Sequence, residues 1–309
     1  MRNAFAEELV NLADKDERII LLAGDIGFRI FDQFIDKFPD RFINCGIAEQ
    51  NMISVAAGMA SEGRVPFVYT IIPFLVMRAY EQIRVDLGIN SQNVTLVGVG
   101  GGLAYDKLGS THHACEDIAL MRTIPNLDVY TPYDPNNVKS CLNQAYNSSI
   151  KDGKSSYIRL SKGGENNLRN TIELKKNITF VNSSFIKNKL IISHGNILSK
   201  MLDFYHEGIE GIEGISILAI SKIDESTIKE LIEEIENMKE NSKIMFIEEH
   251  FQVGGLFEAV APRLLSIKKN YQITNMSINH QYTFKIQSHN QLIKSCGIDF
   301  ENIKKFFLN

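Results

Sequence analysis

The sequence predicts an α/β protein with an open, mostly parallel sheet, followed by a smaller α/β domain. Continuous apolar runs recur along the chain, and such runs are typical of strands buried on both faces of a parallel sheet. Helical stretches separate them, as expected for repeated β-α-β units. In the first half of the chain, the runs lie at residues 19–23, 41–45, 66–71, 94–99, 128–133 and 156–160.

A second β-α series predicts the smaller domain, with apolar runs at residues 189–193, 215–220, 244–247 and 273–278. The segment between the two series is polar and lacks a hydrophobic period, which is typical of a linker. The chain of 309 residues is long enough for two cores. We therefore predict a first domain at 1–168, a linker at 169–184 and a second domain at 185–309.

Composition excludes several classes of protein. The 33 Lys and Arg residues nearly balance the 37 Asp and Glu residues, so the net charge of −4 predicts neither nucleic-acid nor membrane binding. We find no leader peptide and no run that approaches the ~20 apolar residues of a membrane span. The cysteines form no C-x-x-C pair, which favours a reducing, cytoplasmic location. They are Cys45, Cys115, Cys141 and Cys296.

Glu49 is the strongest candidate for chemistry. The strand at 41–45 ends at Gly46, and a helix that begins near Ile47 places Glu49 in its first turn. This turn lies at the carboxyl edge of the sheet, where open α/β folds bind ligands. A glutamate in a first turn also complements the helix dipole, so its position alone does not assign a function.

The residues around Glu49 resemble those of transketolases and 1-deoxyxylulose-5-phosphate synthases. The matching segments are GIAEQNM at 46–52, AAGMA at 56–60, RAYEQIR at 78–84, GSTH at 109–112 and EDIAL at 116–120. In the second domain, FIEEH at 246–250 and GGL at 254–256 resemble the family's C-terminal domain. The chain thus resembles the C-terminal section of a transketolase, a pyrimidine-binding domain followed by the transketolase C-terminal domain.

The resemblance implies that Glu49 activates thiamine diphosphate. In that family the matching glutamate hydrogen-bonds N1′ of the aminopyrimidine and favours its imino tautomer, whose nitrogen deprotonates the thiazolium C2. A site that excludes water would help a carboxyl to share this proton. The family's histidine at the position of His112 contacts the donor substrate and aids proton transfer, so the resemblance implies the same role for His112. The cofactor-binding residues that the resemblance implies are Asp25, Ile47, Glu49, Phe74 and Arg78.

Substrate contacts follow from the same resemblance. Besides His112 we expect His113 to contact the substrate, and a guanidinium or ammonium group suits a substrate phosphate. The expected phosphate-binding residues are Arg2, Arg29, Arg159 and Lys162. His113 and Asp117 are spaced i, i+4, but zinc needs three or four convergent ligands, so we predict no metal site in this chain.

The resemblance also shows what this chain lacks. Complete transketolases have an N-terminal domain that holds the diphosphate through Mg²⁺, with a Gly-Asp-Gly segment followed by an asparagine. The nearest segment here, Gly24-Asp25-Ile26, differs at its third residue. The resemblance therefore implies a split enzyme in which an N-terminal partner subunit holds the diphosphate and Mg²⁺. We expect two copies of each chain in an α2β2 heterotetramer.

The predicted reaction is transfer of a two-carbon ketol unit between ketose and aldose sugars, with phosphorylated substrates expected. Gly100 and Leu108 stand where many transketolases have a histidine and an aspartate that contact sugar hydroxyls, and Asp106 is a candidate replacement. Two alternatives stay open. One is a decarboxylating subunit, either resembling deoxyxylulose-phosphate synthase or a 2-oxoacid dehydrogenase β subunit, and the other is a non-catalytic regulatory subunit.

Overall fold

The computed structural model describes residues 1–163, 167–168, 171–181, 188–206 and 214–308, and these residues form two six-stranded sheets with helices packed on them. This arrangement confirms the predicted α/β class. The first sheet is wholly parallel, in the order β2-β1-β3-β4-β6-β5. Its strands are β1 (Ile19–Ala23), β2 (Phe42–Asn44), β3 (Val65–Ile71), β4 (Thr95–Val99), β5 (Leu127–Tyr130) and β6 (Ser155–Leu160).

Helices cover both faces of the first sheet. Alternate residues of a strand point to opposite faces, so Leu21 packs in one core with α1, α2 and α6, while Leu22 packs in another with α3. The helices are α1 (Arg2–Ala13), α2 (Asp32–Lys37), α3 (Glu49–Ser61), α4 (Tyr80–Gln82), α5 (Asp117–Arg122) and α6 (Pro135–Asp152). Two π-helical segments, Pro73–Met77 and Ile83–Ile89, flank α4.

The second sheet is mixed, in the order β12-β11-β9-β10-β8-β7, with four parallel strands and an antiparallel pair at one edge. Its strands are β7 (Ile172–Lys175), β8 (Ile178–Phe180), β9 (Lys189–His194), β10 (Ser216–Ile220), β11 (Lys243–Phe251) and β12 (Gln272–Ile278). Its helices are α7 (Ile197–His206), α8 (Glu225–Glu236), α9 (Leu256–Leu264), α10 (His289–Ser295) and α11 (Phe300–Leu308). None of the described helices is both long and apolar enough to cross a membrane.

The segment predicted as a linker contains β7 and β8. These strands pair with each other, and β8 also pairs with β10, so both belong to the second sheet. The two strands are only four and three residues long, so neither forms an apolar run that stands out from its polar flanks. Residues 169–170 and 182–184 of the predicted linker lie outside the described residues. We propose that the second domain begins with β7.

A buried ion pair within the first domain also contacts the second domain. Arg159 on β6 donates from Nε to Asp117 Oδ2 at 2.8 Å, and Tyr157 donates to the same oxygen at 2.6 Å. Arg159 Nη2 donates to the carbonyl of Ala114 at 2.9 Å and to that of Glu249, in β11 of the second domain, at 3.0 Å. The structure therefore does not support the predicted phosphate-binding role of Arg159, because its guanidinium is buried and bonded within the protein.

We predict that Asp117→Asn destabilises the protein by about 3–5 kcal/mol, because it removes the carboxylate that is ion-paired with the buried guanidinium of Arg159. The urea midpoint of unfolding measures this loss. The matched control is Asp14→Asn, which breaks the surface pair Lys37–Asp14, whose side chains are both 45% exposed. It should cost less than about 1 kcal/mol. Equal, small effects of the two substitutions would show that the buried pair stabilises the protein no more than the surface pair does.

Candidate active site

Glu49 lies where β2 gives way to α3. After Asn44 the chain turns through Gly46, whose φ of 69° favours glycine, and its amide donates to Asn44 Oδ1 at 3.0 Å. The helix then begins at Glu49, two residues later than expected from the sequence. The turn places a carboxyl group that is only 1% exposed at the carboxyl edge of the parallel sheet.

Arg78 supplies the countercharge for this carboxyl. Its Nη1 donates to Glu49 Oε2 at 2.6 Å, and its side chain is 42% exposed whereas that of Glu49 is 1% exposed. Burying a carboxylate is costly unless it is paired, and the guanidinium meets that need. Glu49 Oε1 accepts no hydrogen bond from any described residue. The carboxyl is therefore held in place through one oxygen and can bind a further donor through the other.

Phe74 connects this pair to His112. The guanidinium of Arg78 lies 4.6 Å from the centre of the Phe74 ring, and the His112 ring meets the same ring edge to face at 5.1 Å. Thr111 Oγ1 and His112 Nδ1 are 2.9 Å apart. The structure thus brings four of the predicted site residues, Glu49, Phe74, Arg78 and His112, into one continuous row. Burial lowers the pKa of His112, which favours a neutral imidazole.

Two of the predicted phosphate ligands lie close to this row. The ammonium of Lys162 is 4.8 Å from the centre of the Tyr105 ring, which in turn lies 5.9 Å from that of His112. Burial raises the pKa of Tyr69 and Tyr105, and the positive charge of Arg2 opposes that rise for both phenols. Arg2 and Lys162 therefore add positive charge near His112. The Tyr105 ring, which was not among the predicted site residues, lies between Lys162 and His112.

Other predicted residues are more loosely connected to the site. Asp25 follows β1, is exposed, and accepts a hydrogen bond from Asn44 Nδ2 at 3.1 Å. Ile47 is strongly exposed, as is Phe28 in the loop after β1. Arg29 is exposed in that same loop, and it makes no hydrogen bond or ion pair within the described part of the chain. Phe28 and Ile47 thus expose large apolar side chains on the loops that follow β1 and β2.

His113 does not lie with His112. It is 7% exposed and faces a cavity lined by side chains of the second domain, including Phe251 and Ile278. The structure therefore does not support the predicted substrate contact of His113. The two histidines are adjacent in the loop after β4, but His112 contacts Phe74 and Tyr105 while His113 lines the cavity between the domains.

The structure also explains the departures from the family pattern. A side chain at Gly100, whose φ is 94°, would collide with the ring of Tyr105, so no histidine fits there. Leu108 is exposed. Asp106 Oδ2 accepts the backbone N–H of His289 in the second domain at 3.0 Å. Asp106 is therefore engaged within the protein and is not a free replacement for the missing polar residues.

Glu249 and His289 are further residues that the sequence analysis missed. Glu249 Oε1 accepts the Leu103 amide at 2.7 Å and His289 Nε2 at 2.6 Å. Burial raises the pKa of Glu249, but His289 and the Leu103 amide outweigh that effect, and the net pKa is lowered. The second domain thus holds the first residues of the loop that leads to His112. The FIEEH segment gave the only signal, and it did not reveal the direction of the Glu249 side chain.

Comparison with known proteins identifies several relatives of this chain. The model of the transketolase pyrimidine-binding domain matches residues 1–166. A protein of Methanocaldococcus jannaschii assigned as a transketolase C-terminal section is 31% identical over 99% of this chain and 94% of its own length. The 1-deoxy-D-xylulose-5-phosphate synthase of Clostridium beijerinckii is 30% identical over 99% of this chain. One of the subunits of the apulose-4-phosphate transketolase of Phocaeicola vulgatus is 40% identical over 43% of this chain.

The matched part spans 48% of the synthase and 43% of the apulose-4-phosphate transketolase chain. Among solved structures, a split-gene transketolase described as an inactive β4 tetramer has a TM-score of 0.80 at 26% identity, covering 99% of this chain and 96% of that one. The transketolase of Campylobacter jejuni has a TM-score of 0.77 at 16% identity, covering 99% of this chain and 46% of that one, and shows the fold alone. The chain belongs to the transketolase family.

Proposed function

We propose that this chain is the pyrimidine-binding and C-terminal subunit of a split transketolase, which transfers a two-carbon ketol unit from a ketose to an aldose. The main support is Glu49, a buried carboxylate with one oxygen held by Arg78 and the other without a hydrogen-bond partner among the described residues. Phe74 packs on both Arg78 and His112, so Glu49 and His112 can act as acid and base within one site. Family membership supports a transferase.

The residues present fit the aminopyrimidine end of thiamine diphosphate. Glu49 Oε1 can hold the proton of a ring nitrogen, and the half-exposed ring of Phe74 can pack on a flat heterocycle. When bound, the cofactor supplies the nucleophilic carbon that adds to the donor carbonyl. Arg78 fixes the direction of the Glu49 carboxyl. Asp25 and Ile47 lie at the same sheet edge and are candidates for contacts with the bound cofactor.

Substrate contacts are proposed for the residues near Tyr105. A neutral His112 can accept a proton from a donor hydroxyl and return it later in the reaction. Arg2 and Lys162 supply the positive charge that a sugar phosphate needs. Arg29, exposed in the loop after β1, is a candidate for a phosphate contact that forms only in the complete site.

A partner chain completes this site in our proposal. The exposed Phe28 and Ile47 lie on loops at the sheet edge that carries Glu49, which suits a subunit interface. The split-gene relative whose β chains form a tetramer is described as inactive, which supports the need for a second kind of chain. The N-terminal partner would hold the diphosphate and Mg²⁺ in an α2β2 assembly. Four free cysteines favour the reducing cytoplasm.

A decarboxylating reaction is the second candidate. The Clostridium beijerinckii synthase matches over 99% of this chain, and Tyr105 fills the space in which many transketolases place a histidine. Release of CO₂ from pyruvate by the reconstituted complex would favour this candidate. Transfer of a ketol unit without CO₂ release would favour the transketolase.

We predict that Glu49→Gln lowers kcat of the reconstituted complex by at least about 100-fold, because an amide cannot share a proton with the ring nitrogen. A coupled assay of ketol transfer measures this loss. The matched control is Glu62→Gln at the exposed far end of the same helix, which should keep normal activity. Near-normal turnover of the Glu49→Gln complex would contradict the assigned role and support a non-catalytic, regulatory subunit.

His112 gives a prediction about pH. Burial lowers its pKa below the ordinary value of 6.5, so the imidazole becomes protonated, and activity falls, only as the pH drops through that lowered pKa. In His112→Asn, kcat/KM should be about 100-fold lower and this acidic fall should disappear. His280→Asn, on an exposed part of the second domain, is the control and should keep the wild-type profile. An acidic fall that persists in His112→Asn would assign it to another group.

A further inference from the structure

His112 lies two residues before the base of a closed loop, residues 102–114. Gly102 and Ala114 form this base by exchanging two backbone hydrogen bonds, each 2.8 Å long. Because the base joins both ends of the loop, a shift of Gly102 would be transmitted to Ala114 and from there to His112. The contacts that hold the base therefore bear on the position of the His112 ring, which packs on Phe74.

Glu249 of the second domain holds this base. Its Oε1 accepts the amide of Leu103 at 2.7 Å, and its carboxyl lies so close to Gly102 that a side chain there would collide with it. Glu249 is buried, and a buried carboxylate needs hydrogen-bond donors or a countercharge. His289 Nε2 meets this need at 2.6 Å from Oε1. His289 thus fixes the carboxyl that fixes the base of the loop.

Two more contacts join the loop to the second domain. The backbone N–H of His289 donates to Asp106 Oδ2 at 3.0 Å. Ser110, two residues before His112, donates from its hydroxyl to the carbonyl of Thr283. Thr283 and His289 both belong to the part of the chain that runs from the end of β12 to the start of α10. The second domain therefore holds the loop at its base, along its length and next to His112.

We propose that His289 and Ser110 are positioning residues that hold the His112 imidazole in the orientation that proton transfer requires. His289 acts through Glu249 and the base of the loop, and Ser110 acts through its bond to the second domain. This inference rests on the proposed function, in which His112 moves a proton. A displacement of about 1 Å in a catalytic group can cost up to ~100-fold in rate, so residues that only orient His112 still affect turnover.

We predict that His289→Ala lowers kcat of the reconstituted complex by about 10-fold, because His112 loses its fixed orientation. KM for the sugar substrates should change by less than about twofold, since the variant removes no proposed substrate contact. His289→Gln should restore kcat to within about twofold of the wild type, because the Gln amide can donate to Glu249 in place of Nε2. Ser110→Ala should lower kcat by about fivefold, the effect of losing one ordinary hydrogen bond.

Matched control variants leave the loop contacts in place. His280→Ala removes an exposed imidazole of the same domain, which packs edge to face on Phe251. Ser266→Ala removes a hydroxyl that donates to the Arg263 carbonyl at 2.7 Å, as Ser110 donates to another carbonyl. Both controls should keep the wild-type kcat.

A double-mutant cycle shows whether His289 acts through His112. In His112→Asn, the further change His289→Ala should lower kcat/KM by less than about twofold, because the group that His289 positions is already missing. Effects that multiply, a normal kcat in His289→Ala, or a His289→Gln complex no better than His289→Ala would each overturn the proposal. A His112→Asn complex with wild-type turnover would contradict the proposed function itself, whereas the expected loss in His112→Asn with effects that multiply would contradict this inference alone.

Hydrogen exchange of the full chain gives a readout that does not depend on activity. Amides of residues 102–114 should exchange about fivefold faster in His289→Ala than in the wild type, as expected when one ordinary hydrogen bond is lost. Amides of α3 should keep their wild-type rates. Unchanged exchange in the loop, or equal acceleration in α3, would overturn the proposal. If His289→Ala does not fold, Ser110→Ala decides in both experiments.

Discussion

The position of the candidate active site depends on the buried ion pair between Arg159 and Asp117. Arg159 lies inside the central sheet of the first domain, and its guanidinium bonds Asp117, the backbone before α5 and the backbone of β11 in the second domain. Buried charges are tolerated only when such bonds satisfy them. Next to this pair, the Glu249 side chain holds the Leu103 amide and His289. The second domain thus fixes the loop that carries His112, although the His112 side chain packs on Phe74 of the first domain.

The sequence was sufficient for the parts of the fold that depend on local pattern. Apolar runs predicted the six strands of the first sheet and four of the six strands of the second, and the turn after β2 predicted Glu49 at the start of a helix. The family resemblance linked Glu49, Phe74, Arg78 and His112, which the structure then brings together. The β7–β8 pair was missed because strands of four and three residues with polar flanks resemble a linker.

Long-range contacts explain the other differences between the sequence-based predictions and the structure. Arg159 looked like a phosphate ligand because its counterion, Asp117, is 42 residues earlier in the chain, and the sequence does not show which charges meet. Asp106 and His113 were expected at the substrate, yet both face the second domain, whose position no local pattern predicts. Tyr105 fills the space at Gly100, a contact that only the folded loop reveals. His112 and His113 are neighbours in the chain, but His112 packs on Phe74 and Tyr105 whereas His113 lines the cavity between the domains.

The central claim is that this chain holds half of a cofactor site, with a buried acid ready for the pyrimidine and exposed apolar loops beside it. Isothermal titration of thiamine diphosphate, with Mg²⁺ present, tests it most directly. The titration compares this chain alone with this chain mixed with its N-terminal partner. Tight binding is expected only in the mixture, because the proposed partner would hold the diphosphate and Mg²⁺. Equally tight binding by the isolated chain would contradict it.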